Sequence, residues 1–212
     1  PKVQIVGSVD NIIFNTVLGG NSKFDIQMDK RGIDINSFNL INEVEKSSFT
    51  MNGYIPIILD IKKGVYQEDI HRDRVMSFIC QNTSTTILRK LIPKVEALEG
   101  KISGELSSYK YEDTRYFLGN LTLTSGRLAF ASNLAPFTDV EGTLLFTKEK
   151  IEVSKVTGKM GEGTFYIKGS MKLIDLKVEA IDFSIIGKKL KLINDDDLVV
   201  ILSPTLTYTG TL

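Results

Sequence analysis

Apolar and polar residues alternate with a period of two along most of the chain. The clearest case is the last segment, where apolar residues or glycine at even positions from 206 to 212 alternate with threonine at odd positions. Leu121 and Leu123, then Leu128 and Phe130, alternate with polar or small neighbours on either side of Ser125-Gly126. Such alternation predicts β-strands with one apolar and one solvated face.

The first hundred residues show the same pattern in shorter runs. Polar and glycine pairs interrupt it at Gly19-Gly20, Asn21-Ser22 and Arg31-Gly32. Strands this close together leave no room for helical crossovers, so we predict an antiparallel meander of strands with six or seven residues. At Leu173-Ile174 the alternation changes phase, which predicts a bulge or a turn.

One segment has helical spacing instead. Apolar residues recur three and four positions apart between Ile87 and Leu98, and Ser84, Thr85 and Thr86 precede them as candidate N-caps. Pro93 should end or kink the helix. We therefore predict one elongated domain over 1–212, made of a β section over 1–83, a short amphipathic helix within 84–98, and a second β section over 99–212.

A loose repeat of glycine, any residue and an apolar residue runs through the chain. Its glycines have the parity of the apolar positions, where glycine permits a bend and leaves space beside a bulky residue of the next strand. Repetition at irregular spacing predicts an extended sheet that grows strand by strand. The glycines are Gly7, Gly53, Gly100, Gly104, Gly119, Gly142, Gly163 and Gly169.

Charge and composition exclude several classes of function. Twenty-six basic residues balance twenty-six acidic ones, which argues against a general binder of nucleic acid or of anionic membranes. The single cysteine, Cys80, rules out an internal disulfide and a cysteine-rich zinc site. No run of eighteen apolar residues is present, so no segment is predicted to cross a membrane as a helix.

The motifs that could carry chemistry are incomplete. His71-Arg72-Asp73 resembles part of a kinase catalytic loop but has Phe78 where that loop needs asparagine. Gly161-Glu162-Gly163 lacks the third glycine of a dinucleotide site, and Asp195-Asp196-Asp197 lacks the spaced ligands of a calcium loop. We predict no catalytic residue, no metal and no cofactor. An enzyme would have to depend on His71.

Two stretches resemble a known family. The segment from Leu88 through Pro93 to Leu106 combines a short proline-containing helix with a strand of alternating glycine and apolar residues. The segments Gly119–Leu128 and Gly142–Phe146, followed by Phe165–Met171, continue in the same style. Over residues 84–173 the chain resembles the TamB and AsmA-like proteins of the envelope of diderm bacteria, as an internal or C-terminal piece. It departs from them at 109–116, where the family usually has a proline.

The resemblance implies a long β-sheet folded into a U-shaped trough, apolar inside and polar outside, that carries phospholipid between the inner and outer membranes. It implies a location in the periplasm, a parent protein anchored in the inner membrane, and an outer-membrane barrel-assembly protein as a partner. The residues expected to line the trough are Val9, Ile55, Ile102, Leu106, Leu121, Leu123, Leu128, Phe130, Leu144, Phe146, Phe165, Ile167, Met171 and Leu173.

Two alternatives stay open at this stage. The same apolar positions could fill a closed, dry sandwich core, as in most β-proteins. The sheet could also act as a scaffold whose free strand edges pair with a partner strand, including strands of a nascent outer-membrane barrel.

Overall fold

The computed structural model describes residues 2–14, 17–60, 65–69, 72–86, 95–111, 114–130, 134–194 and 199–211. These residues form fifteen β-strands and contain no α-helix. The strands are β1 (Val3–Phe14), β2 (Val17–Asp29), β3 (Gly32–Asn42), β4 (Ser47–Asp60), β5 (Val65–Glu68), β6 (Arg74–Ser84), β7 (Val95–Tyr111), β8 (Thr114–Phe130), β9 (Phe137–Phe146), β10 (Lys150–Met160), β11 (Gly163–Ile174), β12 (Lys177–Lys188), β13 (Leu190–Asn194), β14 (Val199–Leu202) and β15 (Thr205–Thr211).

Twelve of the strands follow one another in a single antiparallel sheet. Their order is β1-β2-β3-β4-β6-β7-β8-β9-β10-β11-β12-β15, with β5 paired to the end of β4 and with β13 and β14 forming a separate hairpin. The predicted meander is confirmed, and the β6–β7 pairing joins the two predicted β sections. The predicted strand length was too short, since all strands on this path except β15 contain 10 to 17 residues.

A side-chain hydrogen-bond network accounts for one tight turn, and backbone conformation accounts for another. In the β2–β3 turn, Asp29 accepts hydrogen bonds from the backbone nitrogen of Arg31 at 2.7 Å and from its guanidinium at 2.9 Å. The hydrogen bond from the Arg31 side chain is the main reason that the pKa of Asp29 lies below its usual value. Between β11 and β12, Asp175 and Leu176 have φ values of 47° and 63°, as two-residue hairpin turns require. This turn is the phase change predicted at Leu173-Ile174.

Bulges interrupt the register inside several strands. Four non-glycine residues with φ between 50° and 55° lie at such register shifts: Asn11, Asn82, Ser125 and Asp139. Each bulge inserts an extra residue, so that the apolar residues before and after it return to the same face of the sheet. The irregularity at Ser125-Gly126 is one of these bulges, and β8 continues through it.

The predicted helix is wrong at both ends. Ser84 belongs to β6, and Val95 to Leu98 belong to β7, while 87–94 lie outside the described residues. A register shift between Val95 and Ala97 explains the helix-like spacing at the end of the predicted helix. This bulge places Val95 and Leu98 on the same face of a strand although they are three positions apart, which is also the spacing of a helix.

The interruptions expected in the first hundred residues are partly wrong. Strand β2 runs through both Gly19-Gly20 and Asn21-Ser22, because Gly20 pairs with β1, Asn21 with β3 and Ser22 with both. The break at Arg31-Gly32 is confirmed as the β2–β3 turn. No helix in the described part of the chain has the length and hydropathy needed to cross a bilayer.

A small closed core forms where the β13–β14 hairpin folds back on the sheet. Lys189, with φ of 52°, separates β12 from β13. Past this bend, the Leu192 carbonyl accepts a hydrogen bond from Ala135 N at 3.1 Å, and Ile193 bridges to Leu134. Strand β13 therefore reaches back to the residues just before β9. A buried cluster of Ala135, Met160, Phe165 and Leu190, each at most 8% exposed, packs beside it.

Two glycines of the repeat occupy reciprocal positions on β7 and β8. Gly104 is paired with Leu121, and Gly119 is paired with Leu106. Their φ values of 141° and 140° are rarely adopted by residues with side chains. An added Cβ would also lie 2.2 Å from a backbone carbonyl oxygen of the opposite strand in each case. Glycine at these positions therefore lets the backbones approach and leaves room for the leucine opposite.

Replacing Gly104 with alanine should destabilise the sheet by about 2–3 kcal/mol, because both the φ angle and the close approach exclude a side chain. Gly210→Ala is the control, since the atom nearest its added Cβ is 3.5 Å away. We expect that change to lie within about 0.5 kcal/mol of the wild type. Urea denaturation followed by circular dichroism measures both, and equal losses would contradict the role assigned to Gly104.

Leu190→Ala should loosen the folded-back hairpin. Leu190 is 5% exposed within the buried cluster, so its truncation is expected to cost about 2–4 kcal/mol and to speed hydrogen exchange at the Ala135 amide. Its cross-strand partner Leu202 is 47% exposed, and Leu202→Ala should change neither quantity appreciably. Unchanged exchange at Ala135 in Leu190→Ala would show that the hairpin does not depend on this contact.

Candidate functional site

The strand register places apolar residues on one face of the whole sheet. Paired residues of neighbouring strands point to the same side of the sheet. A row of residues on one side can therefore be traced from strand to strand through successive pairs. One such row crosses all twelve strands and contains apolar residues or glycine throughout; its face is called the apolar face. The row is Gly7, Phe24, Phe38, Met51, Phe78, Leu106, Gly119, Phe146, Ile151, Met171, Ile181 and Gly210.

The neighbouring row points to the opposite side, called the polar face. Ten of its twelve residues are polar or charged, and Ile79 and Leu145 are the exceptions. The row is Ser8, Lys23, Asn39, Thr50, Ile79, Glu105, Asn120, Leu145, Glu152, Ser170, Asp182 and Thr209. Hydroxyl pairs stabilise this face, including Ser77 with Ser107 at 3.0 Å and Thr122 with Thr143 at 3.1 Å.

All fourteen residues predicted to line the trough lie on the apolar face. Eight of them belong to β7, β8 and β9, and the other six, on β1, β4 and β11, continue the same face towards either edge. They are Val9, Ile55, Ile102, Leu106, Leu121, Leu123, Leu128, Phe130, Leu144, Phe146, Phe165, Ile167, Met171 and Leu173.

The prediction missed most of the apolar face between β2 and β6. The register adds Phe24 and Ile26 of β2, Ile35 and Phe38 of β3, and Phe78 of β6. The alternation of Phe24, Ile26 and Met28 signals part of this set. A register shift in β3 changes the parity between Ile35 and Phe38, which hides the continuity in the sequence.

In the described chain, the two-stranded β13–β14 sheet covers one end of the apolar face, and no second sheet covers its central strands. The accessible surface is 13873 Å², whereas a compact protein of this mass exposes about 9,800 Å². Exposed large hydrophobic side chains of the apolar face lie on the two edge strands, with Val9 at 48% in β1 and Tyr208 at 57% in β15. On the strands between them, the described hydrophobic side chains of this face are half-buried or buried. Their neighbours within the sheet provide this shelter.

The apolar face contains an apolar hollow of about 360 Å³ across β7 to β11. Its size falls within the range of about 300–1,000 Å³ typical of ligand pockets. Leu98 and Phe130 line one side, and Val140, Val156 and Ile167 line the other. Glu99 and Arg127 lie at its margin, joined by an ion pair at 3.1 Å.

The closed-core alternative applies to one part of this face. Phe165, a predicted trough residue, is 6% exposed and packs edge-on against Phe137 at 5.4 Å between ring centroids. The β13–β14 hairpin packs against it through Leu190. Leu121 and Leu144 are half-buried and lie outside this cluster. The apolar face is therefore covered beside β13 and uncovered over its central strands.

The outer edges of β1 and β15 have no partner strand among the described residues. Each edge presents unpaired backbone groups beside exposed apolar side chains, including Ile5 at 51% and Leu206 at 56%. Such edges can pair with a further strand.

The incomplete motifs do not form a catalytic cluster in the described chain. Arg72 makes an ion pair with Asp69 at 3.0 Å, while His71 and Asp195-Asp196-Asp197 lie outside the described residues. Gly161-Glu162-Gly163 forms the β10–β11 turn and the start of β11. Among the described side chains, no group of three potential metal ligands converges.

Comparison with known proteins gives no match, whether to a family model, a curated protein or a solved structure.

Cys80 lies on the apolar face, and the reactivity of its thiol can report whether that part of the face is buried. It is half-buried, is paired with Gly104 and directs Sγ towards the Gly104 carbonyl at 3.7 Å. Burial raises the pKa of the Cys80 thiol above its usual value. A raised pKa means less thiolate at a given pH, so iodoacetamide should alkylate Cys80 more slowly in the folded protein than in urea at pH 8.

The pH dependence tests the cause of that protection. The alkylation rate of the folded protein should still be rising at pH values where the rate in urea has levelled off, because the folded-state pKa is the higher one. Mass spectrometry of the modified chain measures both profiles. Overlapping profiles would show that burial does not protect the thiol.

Proposed function

We propose that the apolar face is a groove that shields phospholipid acyl chains from water and carries them across an aqueous gap. The proposed gap is the periplasm of a diderm bacterium, and the proposed route runs between the inner and outer membranes. The protein would act without catalysis, as one section of a larger protein anchored in the inner membrane.

The observation that carries the proposal is the uncovered apolar row across twelve strands. A soluble monomer rarely leaves a contiguous apolar surface of more than a few hundred Å² uncovered unless it binds something. Here the surface extends along the sheet and does not form an isolated patch. An elongated apolar ligand matches this shape better than a compact one does.

The energetics favour lipid chains as that ligand. A diacyl lipid has about 30 CH₂ groups, and at about 0.8 kcal/mol each their exposure to water costs about 24 kcal/mol. A continuous apolar surface removes much of that cost at every position along the path. The chemistry needs no nucleophile, metal or nucleotide.

The dimensions suit this role. Twelve strands about 4.8 Å apart extend for about 53 Å, more than the full thickness of a bilayer. Strands of twelve residues are about 40 Å long, long enough to curve around a bundle of acyl chains. Bulges and glycines with positive φ are the features by which sheets bend, and they recur at Asn82, Gly104, Gly119 and Ser125. We propose that they bend the sheet into a U-shaped trough.

A second candidate function is a scaffold that adds strands at its edges. The exposed backbone edges of β1 and β15 favour it. Its partner would be an outer-membrane barrel-assembly protein or a nascent barrel strand, held by main-chain hydrogen bonds. This function uses the edges of the sheet, whereas lipid binding uses its apolar face, so variants can separate the two.

The test places charges on each face at matched positions. Leu121 and Leu144 are cross-strand partners on the apolar face, and Asn120 and Leu145 are the adjacent partners on the polar face. The Leu121→Asp/Leu144→Asp variant should lose co-purifying phospholipid, because carboxylates cannot pack against acyl chains. The Asn120→Asp/Leu145→Asp variant should retain it. Native mass spectrometry with lipid extraction measures the bound lipid.

Circular dichroism is used to check that both variants are folded. Equal lipid content in the two folded variants would exclude the apolar face as the binding site. Absence of lipid from the wild-type protein, together with capture of a peptide strand by β1 or β15, would favour the scaffold.

A further inference from the structure

A row of three cations lies at one margin of the apolar face. Arg74 of β6 is the register partner of Lys110 of β7, and Lys110 is the register partner of Arg115 of β8. Paired residues have Cβ atoms about 4.5–5.5 Å apart, so the three side chains start side by side. The next row inward on the same face contains Met76, Ser108 and Phe117. The face thus changes from cationic to largely apolar within one repeat of the pleat.

The cation row concentrates positive charge at this margin. Lys110, the middle cation, is only 8% exposed and lies between the two arginines. Arginine and lysine hold anions by charge-assisted hydrogen bonds, and here they lie beside the apolar rows. An anion held at this boundary would have its attached chains directed onto the apolar surface.

The chain itself supplies partners for these cations. Asp175 Oδ1 accepts a hydrogen bond from Arg115 N at 3.1 Å and lies 3.5 Å from Arg115 Nε. Arg74 and Lys110 also make interactions within the chain, as does the neighbouring Asp73. An incoming anion would share the cations with these groups. Glu112 and Asp113 lie outside the described residues and stay unchanged in the variants below.

We propose that Arg74, Lys110 and Arg115 form a headgroup subsite for the phosphate of an anionic phospholipid, with the acyl chains directed over Met76 and Phe117. This inference rests on the proposed lipid groove and adds the class of lipid it selects. Arginine binds phosphate oxygens in a bidentate manner, and lysine adds a point charge. The cation row therefore selects the headgroup, and the apolar face binds the chains.

The test compares two lipids with identical acyl chains and an acyl-linked fluorophore, dioleoyl phosphatidylglycerol and dioleoylglycerol. The wild-type protein should bind the phosphatidylglycerol at least about tenfold more tightly, and added salt should reduce the preference. The Arg74→Gln/Lys110→Met/Arg115→Gln variant should bind both lipids equally, with its dioleoylglycerol affinity unchanged. If that variant fails to fold, Arg115→Gln alone should lose part of the preference, since this side chain is 54% exposed.

A control variant removes three lysines from the polar face, Lys23→Gln/Lys168→Met/Lys188→Gln. Its net charge equals that of the triple variant, so it should keep the wild-type preference if the cation row acts locally. Loss of the preference in this control, or equal binding of the two lipids by the wild type, would overturn the headgroup subsite while leaving the groove intact. Inorganic phosphate that binds as tightly as the lipid would show a site for free phosphate. Binding of neither lipid would overturn the groove as well.

Discussion

The rest of this structure depends on one constraint: every strand pairing must keep the apolar side chains on the same side of the sheet. In a sheet, a register slip of one residue moves every side chain of a strand to the other face. Eleven successive pairings here keep Phe24, Phe78, Phe146 and Ile181 on the same side. Bulges such as the one at Ser125 insert residues without exchanging the faces. One apolar and one polar surface therefore persist from β1 to β15.

The stability of such a sheet cannot depend on a large central core. Among the described residues, the buried hydrophobic side chains are few, and the cluster around Met160 and Leu190 occupies one margin. The remainder is stabilised by backbone pairing and by side chains that shelter one another across strands. Glycines such as Gly104 contribute by leaving space for Leu121 on the next strand. The result is an apolar face whose side chains are half-buried and whose central strands are uncovered.

The apolar face has two kinds of surface, and each suits a different part of the proposed lipid ligand. Apolar rows offer no directional contact, so they suit chains of variable length and let them move along the sheet. The row of Arg74, Lys110 and Arg115 is directional and charged, and it lies at the margin where a headgroup can stay close to water. The hairpin at Leu190 closes the opposite margin of the neighbouring strands. Lipid entry is therefore expected away from this covered part.

The sequence by itself determined the strand class, the antiparallel order and the side of the sheet to which residues such as Leu121 and Leu144 belong, because alternation and short connections are local signals. Bulges concealed the rest: the three-residue spacing of Val95 and Leu98 imitated a helix. Only the tertiary structure decided that Phe165 is covered by β13, since that contact joins segments distant in sequence. It alone aligned Arg74 with Lys110 and Arg115, because the register of three strands, and not the spacing of residues, brings those charges together.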